Sequence, residues 1–422
     1  MVKFELYKIF KKRIILILTG IGFLWSGFAI IFPALQYTTY TEEMEHLSGI
    51  EAIHYDRDLQ NMYAGWYPLD ELTSLYAEYE MIYNNPDYQR SADGDGYSFS
   101  SAGGNTTPLT DEAYYKYLNR YGLIALVGSR TKYLPLYVED AKTTGNLQEL
   151  YYGSIVLSET EDVLIPPADL ENPIVQKVLG TYDNLQIPFY GEYSDGWESF
   201  FNTAPVFFQW FVGLVIIIGV VPIFAEERSS GSDKVLLTTR YGKTKLIRNK
   251  ITAGFLYATL IFMGFVAFFL FVYIGIYGTS GLKSSIQLLP HCNLSPYNLS
   301  IGEALILWSF LGWGAALVIA SGAMMFSALA PNTFVAFIPS LLGYVVPMIS
   351  FAGLSPLLHK IMQLLPVNTI GAIDRFFSMP NYYNIFGILI EKKIVCVTLW
   401  LVLITFSIFI SVWMFRNKRI SN

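Results

Sequence analysis

Six apolar runs, at 14–33, 206–225, 251–278, 304–329, 334–354 and 394–415, constrain this chain more than any other feature. About 20 consecutive apolar residues cross a bilayer as a helix. Inside hydrocarbon, only helices and closed barrels satisfy their own backbone hydrogen bonds. The expected fold is therefore an α-helical polytopic membrane protein with six transmembrane helices. Charge content agrees: soluble domains carry roughly 25% charged residues, whereas this chain of 422 residues carries 15%.

The charges are unevenly placed. Segment 34–205 holds 27 acidic and 8 basic residues, and the rest of the chain holds 7 acidic and 20 basic. Short segments rich in Lys and Arg stay in the cytoplasm. Both termini and the loop 226–250 are thus expected inside, and 34–205 outside as an extracellular domain. An acidic domain on one side and basic loops on the other describe an oriented protein of a plasma (cytoplasmic) membrane, with the lipid bilayer as partner and no nucleic acid. Lys392 and Lys393 go against the rule, since they fall on the outer side. Snorkelling to the interface is the simplest account. Cys292 and Cys396 sit in a loop and a span, so thiols are expected and no disulfide framework. Without disulfides or metal-ligand spacings, the extracellular domain is expected to be held by its own core and to fold alone.

Residues 1–13, VKFELYKIFKKR after the first Met, form an amphipathic pattern: Lys8, Lys11 and Lys12 on one face, Leu6, Ile9 and Phe10 on another. Such a helix lies in the cytoplasmic interface. The apolar run after it is too long for a cleaved leader and lacks an Ala-x-Ala site. Within 34–205, helical periods cover 69–83, 111–126 and 173–182, with Asp70 and Thr110 as cap or first-turn residues. Short β-like runs occur at 133–138 and 154–157, and 91–108 reads as a Gly/Ser/Asp loop. The domain is thus expected to be mainly helical. Its many tyrosines are expected to build core rather than grip substrate.

The remaining connections are an outer loop at 279–303, a tight turn at 330–333, an outer segment at 355–391 and a cytoplasmic tail at 416–422. Glycines in the spans, among them Gly213, Gly219, Gly254, Gly264, Gly275, Gly312, Gly314 and Gly322, are expected to let helices approach closely. Pro339 and Pro347 should kink the fifth span. In 355–391, the apolar pieces 357–365 and 385–390 are too short to span and are broken by Pro and Gly. They read as re-entrant outer helices before span six.

The polar stretch 226–250 reads EERSSGSDKVLLTTRYGKTKLIRNK. Residues 233–237 can form a short helix with a leucine pair, capped by Ser232 or Asp233. Gly242 then permits a turn. Such a helix at the mouth of two spans suits docking to a soluble partner; a solvated positive loop is the plainer alternative.

Glu227, Gly231, the pair Leu236 and Leu237, then Gly242, Lys243 and Lys245, and Lys250 entering the next span resemble the permease subunits of type-two ATP-binding-cassette (ABC) exporters. The topology fits that family over nearly the whole chain, apart from the large segment 34–205. The resemblance implies an elbow helix at the N-terminus and outward re-entrant helices between the fifth and sixth spans. It also implies a coupling helix in 226–250 that sits in a cleft of a separate ATP-binding subunit. The residues implied to couple are Glu226, Glu227, Gly231, Asp233, Leu236, Leu237, Arg240 and Lys243, with Glu227 and Arg240 pairing at the rim of that contact. A second permease chain, identical or related, would complete the pore. ATP and Mg would belong to the partner subunit, and no cofactor to this chain.

No phosphate loop of the form G-x-x-x-x-G-K-[ST] occurs, nor G-x-S-x-G or H-E-x-x-H. His359 reads as a surface histidine. The spans hold almost no ionisable groups, which argues against an ion-coupled carrier. A transport subunit exporting an amphipathic peptide, lipid-like molecule or drug is the first expectation. The alternative is a receptor, assembly or immunity protein with an anchored extracellular domain. A membrane enzyme is poorly supported.

Overall fold

The computed structural model describes residues 1–89, 109–147, 168–232, 235, 238–239, 242–351, 353–371 and 374–416. For Lys243, Asp374 and Arg375 it describes the backbone only. An amphipathic helix α1 (Val2–Phe10) leads into α2 (Arg13–Gln36). The hairpin β1 (Thr38–Tyr40) and β2 (His46–Ser48) follows, then α3 (Gly49–Gln60), α4 (Leu69–Tyr83), α5 (Gly122–Thr144) and α6 (Pro173–Gly180). The long helices α7 (Asp195–Ser229), α8 (Thr244–Tyr277) and α9 (Ile301–Leu329) return through the bundle. They are followed by α10 (Thr333–Val345), α11 (Pro356–Met362), the hairpin β3 (Tyr382–Ile385) and β4 (Ile388–Glu391), and α12 (Lys392–Arg416).

Five of these helices, α2, α7, α8, α9 and α12, are long and apolar enough to cross a membrane. The chain is a multi-pass helical membrane protein. The fifth apolar run behaves differently from the expected span 334–354, because its helix ends near Met348. Pro347 has no N–H to continue the ladder. What remains is about 24 Å long at 1.5 Å per residue, short of the roughly 30 Å hydrocarbon core.

Helix packing uses some of the expected glycines. A Cβ on Gly219 would come within 2.3 Å of the Tyr257 ring, and one on Gly213 within 2.0 Å of the Tyr344 hydroxyl. In return Tyr257 donates to Val215 O at 2.9 Å and Tyr344 to Gln209 O at 2.5 Å. At Gly264, Gly275 and Gly322, by contrast, a Cβ would meet no described atom within 4 Å. Towards the domain end, Phe200 packs edge to face on Phe269 and Trp308, and Phe208 on Phe207, Phe262 and Trp308. Aromatic pairs prefer this geometry. The Trp308 indole N–H reaches Gly371 O at 2.8 Å, which ties the 355–391 segment to the bundle.

Pro222 interrupts α7, and Ser327 of α9 sits beside the break. Its Oγ accepts from Phe224 N and Ala225 N, each at 3.0 Å, and donates to Val221 O. Ser327→Ala is expected to cost about 1–3 kcal/mol, the penalty for buried groups left unsatisfied. Hydrogen exchange at the Phe224 and Ala225 amides should speed up. Unchanged exchange there would count against this role.

Among its described residues, the domain built from 34–205 is mainly helical, with α4 matching the 69–83 period. Asp70 lies in the first turn of α4, and Thr110 accepts from Ala113 N at 3.3 Å. One expectation fails. Residues 133–138 are not a strand but the middle of α5, whose Pro135 is accommodated. The domain has a core built mainly from its own residues, and later segments extend it. Its apolar cluster, with Leu123, Ile124, Val127, Val175 and Phe189, is completed by Leu288 and Leu294 of the loop 279–303 and by Met379 and Tyr382. Tyr182 donates to Leu294 O at 2.6 Å, and Glu192 accepts from Gly281 N at 2.9 Å. Sequence reading treated these segments as separate because a shared core leaves no periodic mark in any one of them. The 91–108 loop and the 154–157 run lie outside the described residues.

The expectation for 355–391 is also corrected in part. Its first piece forms α11, but 385–390 is a β-hairpin, not a helix. The turn Phe386-Gly387 and the β-branched Ile385, Ile388 and Ile390 favour strands at this length. His359 is buried rather than at the surface, and its Nδ1 accepts from Phe351 N at 3.4 Å. Lys393 does not snorkel: its Nζ lies 2.8 Å from Glu391 and 3.8 Å from the centre of the Tyr297 ring. An ion pair plus a cation–π contact holds this cation against protein. Cys292 and Cys396 are thiols without a disulfide, as expected, and both are buried.

Candidate functional site

The end of the bundle opposite the domain carries a cleft of about 480 Å³ bordered by charged side chains. Its walls come from α1, α7 and the first turns of α8, including Glu5, Lys8, Lys11, Lys12, Glu226, Glu227 and Lys250. Helix α1 lies against α8 through buried Ile9 and an edge-to-face contact of Phe10 with Tyr257 at 5.3 Å. This amphipathic helix does more than rest on lipid. Its one carboxylate, Glu5, is 7% exposed and points into the protein.

Lys250 lies at the centre and is 1% exposed. Its Nζ donates to Glu227 Oε1 at 2.7 Å, to Ile223 O at 3.0 Å and to Glu5 Oε2 at 3.2 Å. An ammonium has three donors, and all three are used. Lys8 adds a second cation, 3.4 Å from Glu227 and 3.5 Å from Glu5. Two carboxylates and two ammonium groups thus balance locally. Lys12 pairs with Glu226 beside them. Burying charge is tolerated only with such pairing.

A second set of bonds fixes the other side. Arg228 donates to Leu329 O and Ala330 O at 3.0 and 2.8 Å, covering the end of α9. Free carbonyls at a helix C-terminus favour a cation there. With Ser327, these bonds hold the end of α7 to α9, while Lys250 holds it to α8 and α1.

Of the residues expected to couple, Glu226, Glu227 and Gly231 are placed at this cleft or just after it. Gly231 has φ +71°, a left-handed turn that favours glycine. Glu227 turns inward to Lys250 rather than outward to a rim. Its Oε2 is buried with no partner among the described residues. Asp233, Leu236, Leu237 and Arg240 lie outside the described residues, and so does the Lys243 side chain. Val235 between them is 69% exposed. Sequence reading missed Glu5 and Lys8 as site residues. The signal was present in Glu5, a lone acid in an otherwise basic and apolar helix.

A second cleft, of about 450 Å³, lies on the domain side near Asn61, Glu192, Ser280 and Lys283. Its carboxylate is already engaged, since Glu192 accepts from Tyr190 at 2.8 Å and from Gly281 N at 2.9 Å. Among the described residues, no group of three or more His, Cys, Asp or Glu is arranged to hold a metal ion.

Fold and cleft together define a multi-pass helical membrane protein with an ion-paired root beneath the 226–250 loop. No protein-family model, curated protein or solved structure matches the chain.

Proposed function

We propose that this chain is the permease subunit of a type-two ABC exporter, with 226–250 docking on a separate ATP-binding subunit that carries ATP and Mg. A second permease chain would complete the path, and the cargo would be an amphipathic peptide, lipid-like molecule or drug. In this reading six spans place both termini and the cleft in the cytoplasm and the 34–205 domain outside, with α10 as a short fifth span.

The observation that carries the proposal is the ion-paired lock at the root of the loop. A chain without a nucleotide site must receive work by contact. Buried charges join the amphipathic helix, the end of α7 and the start of α8 into one body. A push on the loop would therefore reach both long helices rather than dissipate in a tether. A receptor with an anchored outer domain has no such need. The exposed Val235 offers an apolar side chain in this loop.

The test is pull-down of the ATPase with the full chain and measurement of substrate-stimulated ATP hydrolysis. Leu236→Asp with Leu237→Asp is expected to abolish both, while the protein still inserts in the membrane. Apolar side chains lose most of their interface contribution when replaced by charge. Full stimulation in the double variant would remove the coupling reading and favour the receptor.

A further inference from the structure

The β3–β4 hairpin has two unlike faces. The register pairs Tyr382 with Glu391, Tyr383 with Ile390, Asn384 with Leu389 and Ile385 with Ile388. Side chains alternate along each strand. One face therefore carries Tyr382, Asn384, Leu389 and Glu391, and the other Tyr383, Ile385, Ile388 and Ile390. Tyr382 and Leu389 pack into the core of the 34–205 domain. Tyr383 packs on the core of the helix bundle and donates to Lys360 O at 3.1 Å. The hairpin is thus a shelf between domain and bundle. Its isoleucine face is turned to the bundle side.

That face projects beyond its support. Ile385 and Ile388 are 37% and 65% exposed, and Phe386 at the tip is fully exposed. Phe386 also has φ +53°, followed by Gly387 at +86°. Two-residue hairpin turns of this kind favour Asn-Gly, and a bulky residue at positive φ is an outlier. Asn384 compensates by accepting from Gly387 N at 2.9 Å. Folding gains nothing from a phenylalanine there, because it touches no core. An unfavourable residue kept at an exposed turn points to a task outside the chain.

We propose that this hairpin is a membrane-surface anchor: Ile385, Phe386 and Ile388 lie in the boundary between headgroups and acyl chains of the leaflet on the domain side. The occupant is lipid because the apolar face is continuous with a membrane-crossing helix. Glu391 ends β4 and Lys392 begins α12, whose Ile394, Val397 and Leu401 are exposed. Strands of four residues reach only about 13 Å, so the tip stays close to that entry point. Helix α11 lies beside Tyr383 and exposes Leu357 and Ile361, extending the same apolar rim. The proposal stands whether or not the chain is a transport subunit.

The test uses the full chain in phosphatidylcholine vesicles. A polarity-sensitive fluorophore is attached to a single cysteine replacing Phe386, Ile388 or Asn384. The native Cys292 and Cys396 are buried and stay unlabelled in the folded protein. Labels at 386 and 388 are expected to shift to the blue and to be quenched several-fold more by lipids spin-labelled near the headgroup than by lipids labelled near the chain end. The label at 384 should report water. Phe386→Asn suits the turn and should fold at least as well, so loss of fold at the tip is not an escape. A water-like signal at 386 overturns the proposal. So does a blue shift without lipid quenching, which would mean that a second protein chain covers the tip, and so does equal quenching at all three positions.

Discussion

Lys250→Met is expected to destabilise the protein by about 3–5 kcal/mol, the usual cost of removing one partner from a buried ion cluster. The lysine is 1% exposed and fills all three donor positions, on Glu5, Glu227 and Ile223 O. Methionine matches the volume but leaves two carboxylates facing each other with Lys8 alone to balance them. Helix α1 should detach first, because Glu5 is its polar attachment and Ile9 its main buried anchor. Thermal unfolding in detergent should drop by several degrees, and hydrogen exchange over residues 2–10 should approach that of an unprotected peptide. The decisive comparison adds Glu5→Gln and Glu227→Gln to Lys250→Met. Neutralising the whole cluster removes the unpaired charge, and such replacements are often nearly neutral in stability. The triple variant should therefore recover most of the loss. A Lys250→Met protein with unchanged melting and a protected α1 would show that the cluster does not hold the helix. In the proposed permease the triple variant has a second reading. It should be folded yet poorly coupled, because the charges that transmit the push are gone.

Sequence and structure agree where a signal is local. The apolar runs mark the long helices because twenty residues without charge have few alternatives in water or lipid. The 69–83 period marks α4, and 1–13 marks an amphipathic helix, because apolar residues repeat with the helical turn. Three features were not legible, each for a physical reason. The core of the 34–205 domain is extended by Leu288, Leu294, Met379 and Tyr382, and contacts across so many residues carry no pattern in any one segment. The hairpin at 382–391 was hidden because a short apolar run fits a strand or a helix equally well; only the Phe-Gly turn favours one. The ion lock was hidden because Glu5 and Lys250 are 245 positions apart. Each looks like an ordinary interfacial charge alone. The 226–250 loop was the reverse case. The leucine pair in its sequence is legible as a docking element, but a docking element is defined by its partner.

Asp56→Ala is expected to cost about 3 kcal/mol and Asp56→Asn much less, since alanine strands buried donors and asparagine does not. Asp56 lies on α3, where the chain enters the domain from α2, and is 3% exposed. Its Oδ1 accepts from Thr39 at 3.0 Å and Asn119 at 2.9 Å, and its Oδ2 accepts from the Tyr37 hydroxyl at 2.7 Å. This one side chain thereby joins the end of α2, strand β1 and the turn before α5. Alanine leaves three buried donors without an acceptor, at about 1–3 kcal/mol each before water enters to recover part of it. Asparagine keeps an oxygen for Thr39 and Asn119 and can offer its amide to the Tyr37 oxygen. Burial raises the Asp56 carboxyl above the usual aspartate range, and the bonds from Tyr37, Asn119 and Thr39 pull it only partly back. The sign of the pH effect follows. A carboxyl whose folded pKa lies above its unfolded value binds its proton more tightly in the folded state. Its contribution is fully present below the unfolded pKa, about 3.9, and is lost as pH rises through the raised folded pKa. The asparagine variant does not titrate. The melting temperature of the wild type relative to Asp56→Asn should therefore fall as pH rises from the aspartate range and level off above the raised pKa. Thermal unfolding of the three proteins across that range is the measurement. A pH-independent difference between wild type and Asp56→Asn would mean that Asp56 titrates as an ordinary exposed carboxylate. An alanine variant as stable as wild type would remove Asp56 as the junction between span and domain.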